Sequence, residues 1–281
     1  MWFKELTGFE EKSPEFVREN LVLKKDYLLS KVNNEKLYFG KLEIPTLKYL
    51  RDNNNLEQHN NQTISISEVV ANVQDLHTDI NNANAVFQAA SQFNLLEMVS
   101  PEITPEKGID RYEMDYTQGP ACAIACGAGT IYRNYFLNVN NLQGQTSTNQ
   151  IDCLDLIGAE LNNIDLDLWT MKNGYALFNQ SGLLTINKKL AELNNEQREE
   201  LKGKLKIGIQ WNTGVTLSEN KHKVTQVYCS ALPVAYCFIE SIYWENFARL
   251  ILEATYEATL HAALINYNKT NSNLVYLTLV G

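Results

Sequence analysis

Val224-Thr225-Gln226-Val227-Tyr228-Cys229-Ser230-Ala231-Leu232 and Leu274-Val275-Tyr276-Leu277-Thr278-Leu279-Val280 are rich in β-branched and aromatic residues, and each reads as a buried strand. Between them Phe247, Leu250, Ile251, Ala254, Ala258, Ala262 and Ile265 recur at three- and four-residue steps. That spacing gives one apolar face to a helix running from about Trp244 to Asn266. Strand, helix and strand of this length form a crossover unit, so residues 224 to 280 are expected to hold two parallel strands joined in the right-handed sense.

Working outward, Val86-Phe87-Gln88-Ala89-Ala90 is a further buried strand. Thr63-Ile64-Ser65-Ile66-Ser67 alternates and runs into Val69-Val70-Ala71, the pattern of a strand passing into the core. Strands separated by helices predict an α/β fold in three layers, α/β/α. The polar stretch Arg51-Asp52-Asn53-Asn54-Asn55, continuing through His59-Asn60-Asn61, breaks every hydrophobic period and reads as a linker. It divides an N-terminal extension, residues 1–61, from a domain of residues 62–281. Within the extension Ser13-Pro14-Glu15-Phe16 marks a helix start. Residues 138–220 read as an insertion: Ile151 to Ile157 is compatible with helix, and Lys188 to Lys204 reads as one charged helix with apolar Leu190, Leu193 and Leu201.

Composition bounds the function. With 44% hydrophobic and 20% charged residues, the chain carries enough apolar side chain to fold, which excludes a wholly disordered class. The 24 Lys+Arg and 33 Asp+Glu leave a net charge of −9. No basic cluster offsets it, so direct docking onto a nucleic-acid backbone is not expected. No apolar run approaches a membrane span, and the opening residues lack the pattern of a secretory leader. Five cysteines in a chain of this size argue for a reducing compartment, the cytoplasm, rather than a disulfide framework.

Chemistry concentrates between Gln88 and Arg133. Gln88, Gln92, Asn94 and Glu97 crowd the carboxyl end of a buried strand, where open α/β sheets hold ligands. Asp110, Glu113 and Asp115 follow, interleaved with Tyr112 and Tyr116. Then Gly119-Pro120 reads as the N-cap and first residue of a helix whose free N–H groups suit a phosphate. Carboxylates beside a ligand can orient or deprotonate a water for attack at a sugar carbon. Cys122 and Cys126 lack a second pair at zinc-site spacing, and Glu253, Glu257 and His261 fit the polar face of a helix, so no metal is assigned. Gly-x-Ser-x-Gly is absent, and none of the four histidines stands in a nucleophile motif.

These residues resemble the macrodomain superfamily, in particular its poly-ADP-ribose glycohydrolase-like branch, over about residues 62 to 281. Val70-Ala71-Asn72-Val73 is similar to the strand end at which the family places an Asp on the adenine amino group; Asn72 stands at that position here. Gln88-Ala89-Ala90-Ser91 falls where the family has Asn-Ala-Ala-Asn beside the distal ribose. Thr117-Gln118-Gly119-Pro120 falls where glycohydrolases end a catalytic loop in Gln-Glu-Glu; Gln118 matches and the glutamates do not. Gly281 stands where the family begins a glycine-rich loop around the diphosphate.

The resemblance implies a macrodomain-like mixed sheet and an ADP-ribosyl hydrolase that needs no cofactor and acts on ADP-ribosylated protein or polymer. Asp115, Asp110 and Glu113 are then the catalytic candidates. Asn72, Gln88, Gln92, Asn94, Glu97, Gln118, Gly119 and Gly281 are the ligand-binding candidates. A binding module without turnover and a protein-interaction domain are the alternatives.

Overall fold

The computed structural model of the chain describes residues 1–54 and 63–280. The chain opens with α1 (Trp2–Thr7), α2 (Pro14–Asn20), β1 (Leu21–Leu23), β2 (Tyr27–Ser30), β3 (Lys36–Tyr38), β4 (Lys41–Glu43) and α3 (Leu47–Asp52). Then come α4 (Val73–Thr78), β5 (Val86–Ala90), α5 (Gln118–Ala125), α6 (Gly127–Ile131), and the short strands β6 (Asn138–Val139) and β7 (Leu142–Gln143). α7 (Asp155–Glu160), α8 (Asn163–Leu166), β8 (Trp169–Lys172), β9 (Tyr175–Phe178), α9 (Gln180–Glu192) and α10 (Asn195–Gly203) follow. The chain closes through β10 (Gly208–Gly214), β11 (Lys223–Cys229), α11 (Glu245–Thr270) and β12 (Val275–Tyr276).

The central sheet is mixed, in the order β12-β5-β11-β10-β4. β12, β5 and β11 are parallel, with Val86 opposite both Val275 and Thr225. β10 runs antiparallel to both β11 and β4. Val227 and Tyr276 thus share one sheet, as the crossover reading expects. Two of the five strands, β4 and β10, come from the stretches 1–61 and 138–220, so the sheet is completed by residues on both sides of its parallel centre.

Alternation along the strands places helices on both faces. On one face Gln88 reaches Thr259 of α11, Thr225 reaches Asn266, and Cys229 also meets Thr259. On the other, Phe87 stacks on His77 of α4 with ring centroids 3.8 Å apart, and Gln226 donates to the Cys122 carbonyl of α5. A second apolar cluster joins Trp2 and Phe3 of α1 to Ile109, Tyr112, Ile124 and Ile131.

Four local expectations are corrected. Residues 63–71 form no strand; Ile64, Ile66 and Val70 face solvent, because side-chain alternation makes a strand only where a half-buried surface receives it. Arg51 and Asp52 are not linker but the end of α3, capped by Thr46 and held by buried Leu47 and Leu50. Arg51 binds Glu257 and Glu199 with contacts of 2.5 to 2.8 Å, tying α3 to α11 and α10. Asn53 caps the end of α3 and Asn54 donates to the His261 carbonyl at 3.0 Å, while Asn55 and His59 to Asn61 lie outside the described residues. The single helix expected over Lys188 to Lys204 is two, because Asn194 and Gln197 form a capping box that starts α10 afresh. α5 begins at Gln118 with Thr117 as N-cap, which moves Gly119 and Pro120 inside its first turn.

Ser13 caps α2 as expected, its Oγ accepting from the Phe16 N–H at 3.2 Å. Among the described residues no helix is long and apolar enough to cross a membrane. All five cysteines are unpaired.

Candidate functional site

β12 stops at Tyr276, and this brevity shapes the site. Past Phe87 the outer edge of β5 has no strand beside it among the described residues, and side-chain amides stand in for the ladder. Gln118 Oε1 accepts from the Ala90 N–H at 3.0 Å, and its Nε2 donates to the Gln88 carbonyl at 2.8 Å. Gln88 Oε1 in turn accepts from the Thr278 N–H at 3.1 Å. The first turn of α5 is therefore anchored to the carboxyl end of β5, and the acidic segment before α5 is held with it.

That segment borders a cavity of about 560 Å³. Asn72, Glu113, Asp115 and Gln118 line it together, with the rings of Trp2, Tyr112 and Tyr116 and the apolar side chains of Val73, Ala121, Ile124 and Leu217. No lysine or arginine is among the lining residues. The polar groups are firmly held. Asn72 caps α4, accepting from the Gln74 N–H at 2.9 Å. Glu113 accepts from the Trp2 N–H at 3.1 Å, so α1 forms part of the wall. Asp115 Oδ1 accepts from both the N–H and the hydroxyl of Thr117, at 3.0 and 2.6 Å. Its Oδ2 takes no hydrogen bond among the described residues. Tyr116 is almost wholly exposed at the rim.

The remaining candidates stand elsewhere. Asp110 is buried, meets the Phe3 backbone, and has its carboxyl pushed up by burial. Gln88 is buried between β5 and α11. Gln92 Oε1 accepts from the Met98 N–H at 2.8 Å, and Asn94 donates to Gln150 Oε1 at 2.8 Å, so both organise the turn after β5. Glu97 is buried behind the cavity wall, against Gly119. Gly281 lies outside the described residues.

Sequence reasoning missed Trp2, Gln74 and Leu217 as wall residues. Trp2 carried a signal, a large aromatic at the start of an amphipathic segment, but nothing local told that it would meet Glu113. Burial pushes the Cys122 thiol well above its usual range, which makes it a poor nucleophile. Glu257 is engaged by Arg51, and Glu253 lies 3.5 Å from Lys202. Among the described residues no group of three or more His, Cys, Asp or Glu side chains is placed to hold a metal ion. No family model, no curated protein and no solved structure matches this chain.

Proposed function

We propose that the chain recognises ADP-ribose through a macrodomain-like fold and releases it from a modified protein or polymer, in a reducing compartment such as the cytoplasm. The observation that carries this reading is the convergence of Asn72, Glu113, Asp115 and Gln118 on one cavity faced by three aromatic rings. Its volume is in the range of small-molecule sites. The rings offer faces for adenine, and the Asn72 carboxamide stands beside them. With no lysine or arginine in the lining, phosphate charge would rest on the Gln118 backbone N–H at the start of α5, because Thr117 N–H is taken by Asp115, Pro120 has none and Gly119 is buried against Glu97.

Asp115 is the residue for the chemical step. Thr117 fixes its Oδ1, which leaves Oδ2 to orient water toward the anomeric carbon of the distal ribose. Cleavage passes through a cation-like sugar, and a nearby carboxylate stabilises it. The second reading, ADP-ribose binding without turnover, is favoured by one observation: Glu113 is committed to the Trp2 N–H and Gln118 to β5. Calorimetry with ADP-ribose tests the ligand. Release of ADP-ribose from a modified protein, by the parent and by Asp115→Asn, separates the two readings. Absence of binding at millimolar ligand overturns both.

A further inference from the structure

Two carboxylates, Glu113 and Asp115, and three aromatic rings, Trp2, Tyr112 and Tyr116, line the cavity, and no lysine, arginine or histidine is among the lining residues. Each carboxylate commits one oxygen to the protein. Glu113 Oε2 accepts from the Trp2 N–H at 3.1 Å and Asp115 Oδ1 accepts from Thr117, while Glu113 Oε1 and Asp115 Oδ2 take no hydrogen bond among the described residues. The Met1 ammonium lies 3.6 Å from Glu113 Oε2, but Asp115 has no ion pair among the described residues. Arg111, the one basic side chain between Asp110 and Gln118, is exposed and outside the lining.

Tyr116 follows Asp115 in the chain and is 94% exposed, so its ring offers a face to whatever projects from the cavity mouth. Trp2 is 7% exposed in the same wall, and its indole N–H has no partner among the described residues. The wall therefore also leaves a donor for a ligand acceptor. Unbonded carboxylate oxygens beside an exposed tyrosine ring suit a planar cation, because a guanidinium donates within its plane and stacks through its face. An ammonium has no face to stack, and an ester or ether linkage brings no charge.

We propose that the residue from which ADP-ribose is released is arginine, its guanidinium seated at the mouth between the Tyr116 ring and the unbonded oxygens of Glu113 and Asp115. This rests on the reading of the cavity as an ADP-ribose site. In the reaction the bond between the anomeric carbon and the guanidine nitrogen breaks with its electron pair on nitrogen. The water oxygen bonds to that carbon, and the water proton taken by Asp115 passes to the nitrogen, which restores the guanidinium. The seat is occupied before the bond breaks, so the preference for arginine lies mainly in KM.

The test uses one peptide carrying ADP-ribose on arginine, lysine, serine or glutamate, with affinity and release rate measured for each, beside the affinity for free ADP-ribose. The arginine-linked peptide is expected to show a KM, or without turnover a Kd, at least about tenfold below the other three. Tyr116→Leu, at an exposed position, should narrow that gap about threefold, and Tyr116→Phe, which keeps the ring face, should retain it. Equal values for the four peptides, a lower value for lysine, serine or glutamate, or a gap unchanged by Tyr116→Leu would overturn the inference. Binding of free ADP-ribose in that case leaves the ligand reading standing. Failure of free ADP-ribose and of all four peptides to bind overturns the ligand reading and the inference with it.

Discussion

Gln118 lies along the backbone of Gln88 as a strand would: its side-chain Nε2 donates to the Gln88 carbonyl at 2.8 Å, while its Oε1 accepts from the Ala90 N–H at 3.0 Å. One residue on a helix thereby completes the edge of β5 and fixes the loop that carries Asp115. Gln118→Ala strands two backbone groups at once. At roughly 1–3 kcal/mol for each group left unpaired, a loss of about 2–6 kcal/mol is expected, toward the lower end because both bonds are only partly buried. Denaturant unfolding measures it, and a loss below about 0.5 kcal/mol, typical of a plain surface substitution, would reject the role.

Stability should fall in mild acid because of His77. It is buried and neutral, its Nδ1–H donating to the Val73 carbonyl at 2.7 Å and its Nε2 accepting from Gln226 at 3.0 Å. Burial lowers its pKa from 6.5 to about 4; His222 adds to this, and the Val73 bond opposes it. The folded value lies below the unfolded one, so the unfolded chain binds the proton more readily between them. The contribution is complete above pH 6.5 and is lost as pH falls toward about 4, by roughly 3 kcal/mol in all. His77→Phe should flatten that part of the pH–stability curve; an unchanged slope would assign the acid sensitivity to other groups.

Ala258 is buried on the sheet-facing side of α11. Ala258→Asp places a carboxylate there without a partner, and a cost of at least about 3 kcal/mol follows. Thermal melting of the variant checks this. Retention of the parent melting temperature would mean that α11 presents a different face to the sheet.

Asp115→Asn preserves the shape of the loop, since the amide oxygen can still accept from Thr117. ADP-ribose affinity should therefore change little, while release of ADP-ribose from a modified protein should fall at least about 100-fold, the scale of a lost general base. Parallel measurement of affinity and release rate decides. Equal rates in parent and variant would leave the binding-module reading in place.

Local pattern carried much of the architecture. The strand at Val86 to Ala90, the strand expected over Val224 to Leu232 and found as Lys223–Cys229, and the helix expected from about Trp244 to Asn266 and found as Glu245–Thr270 were legible because burial of one face, or of both, imposes a period that a single segment displays. Ser13-Pro14 likewise declared a helix start through its own side chain. The same local rule failed at residues 63–71, where alternation was present and no neighbouring strand among the described residues received it. It also overran at Leu274 to Val280, where pairing ends at Tyr276 and Gln118 occupies the edge beyond.

The acidic residues and tyrosines before α5 could be named from sequence alone, because their types and close spacing are local facts. Their separate fates could not. Asp110 turned inward to the Phe3 backbone, Glu113 took the Trp2 N–H, and Asp115 was left at the cavity with one oxygen unbonded. The first two outcomes depend on partners more than 100 positions away along the chain, as for Trp2 and Glu113, whose separation is 111 residues. Composition, propensity and periodicity act along the chain and fix which segments become strand or helix. Which side chains share a wall is decided only when distant segments compete for the same space and the same hydrogen-bond partners.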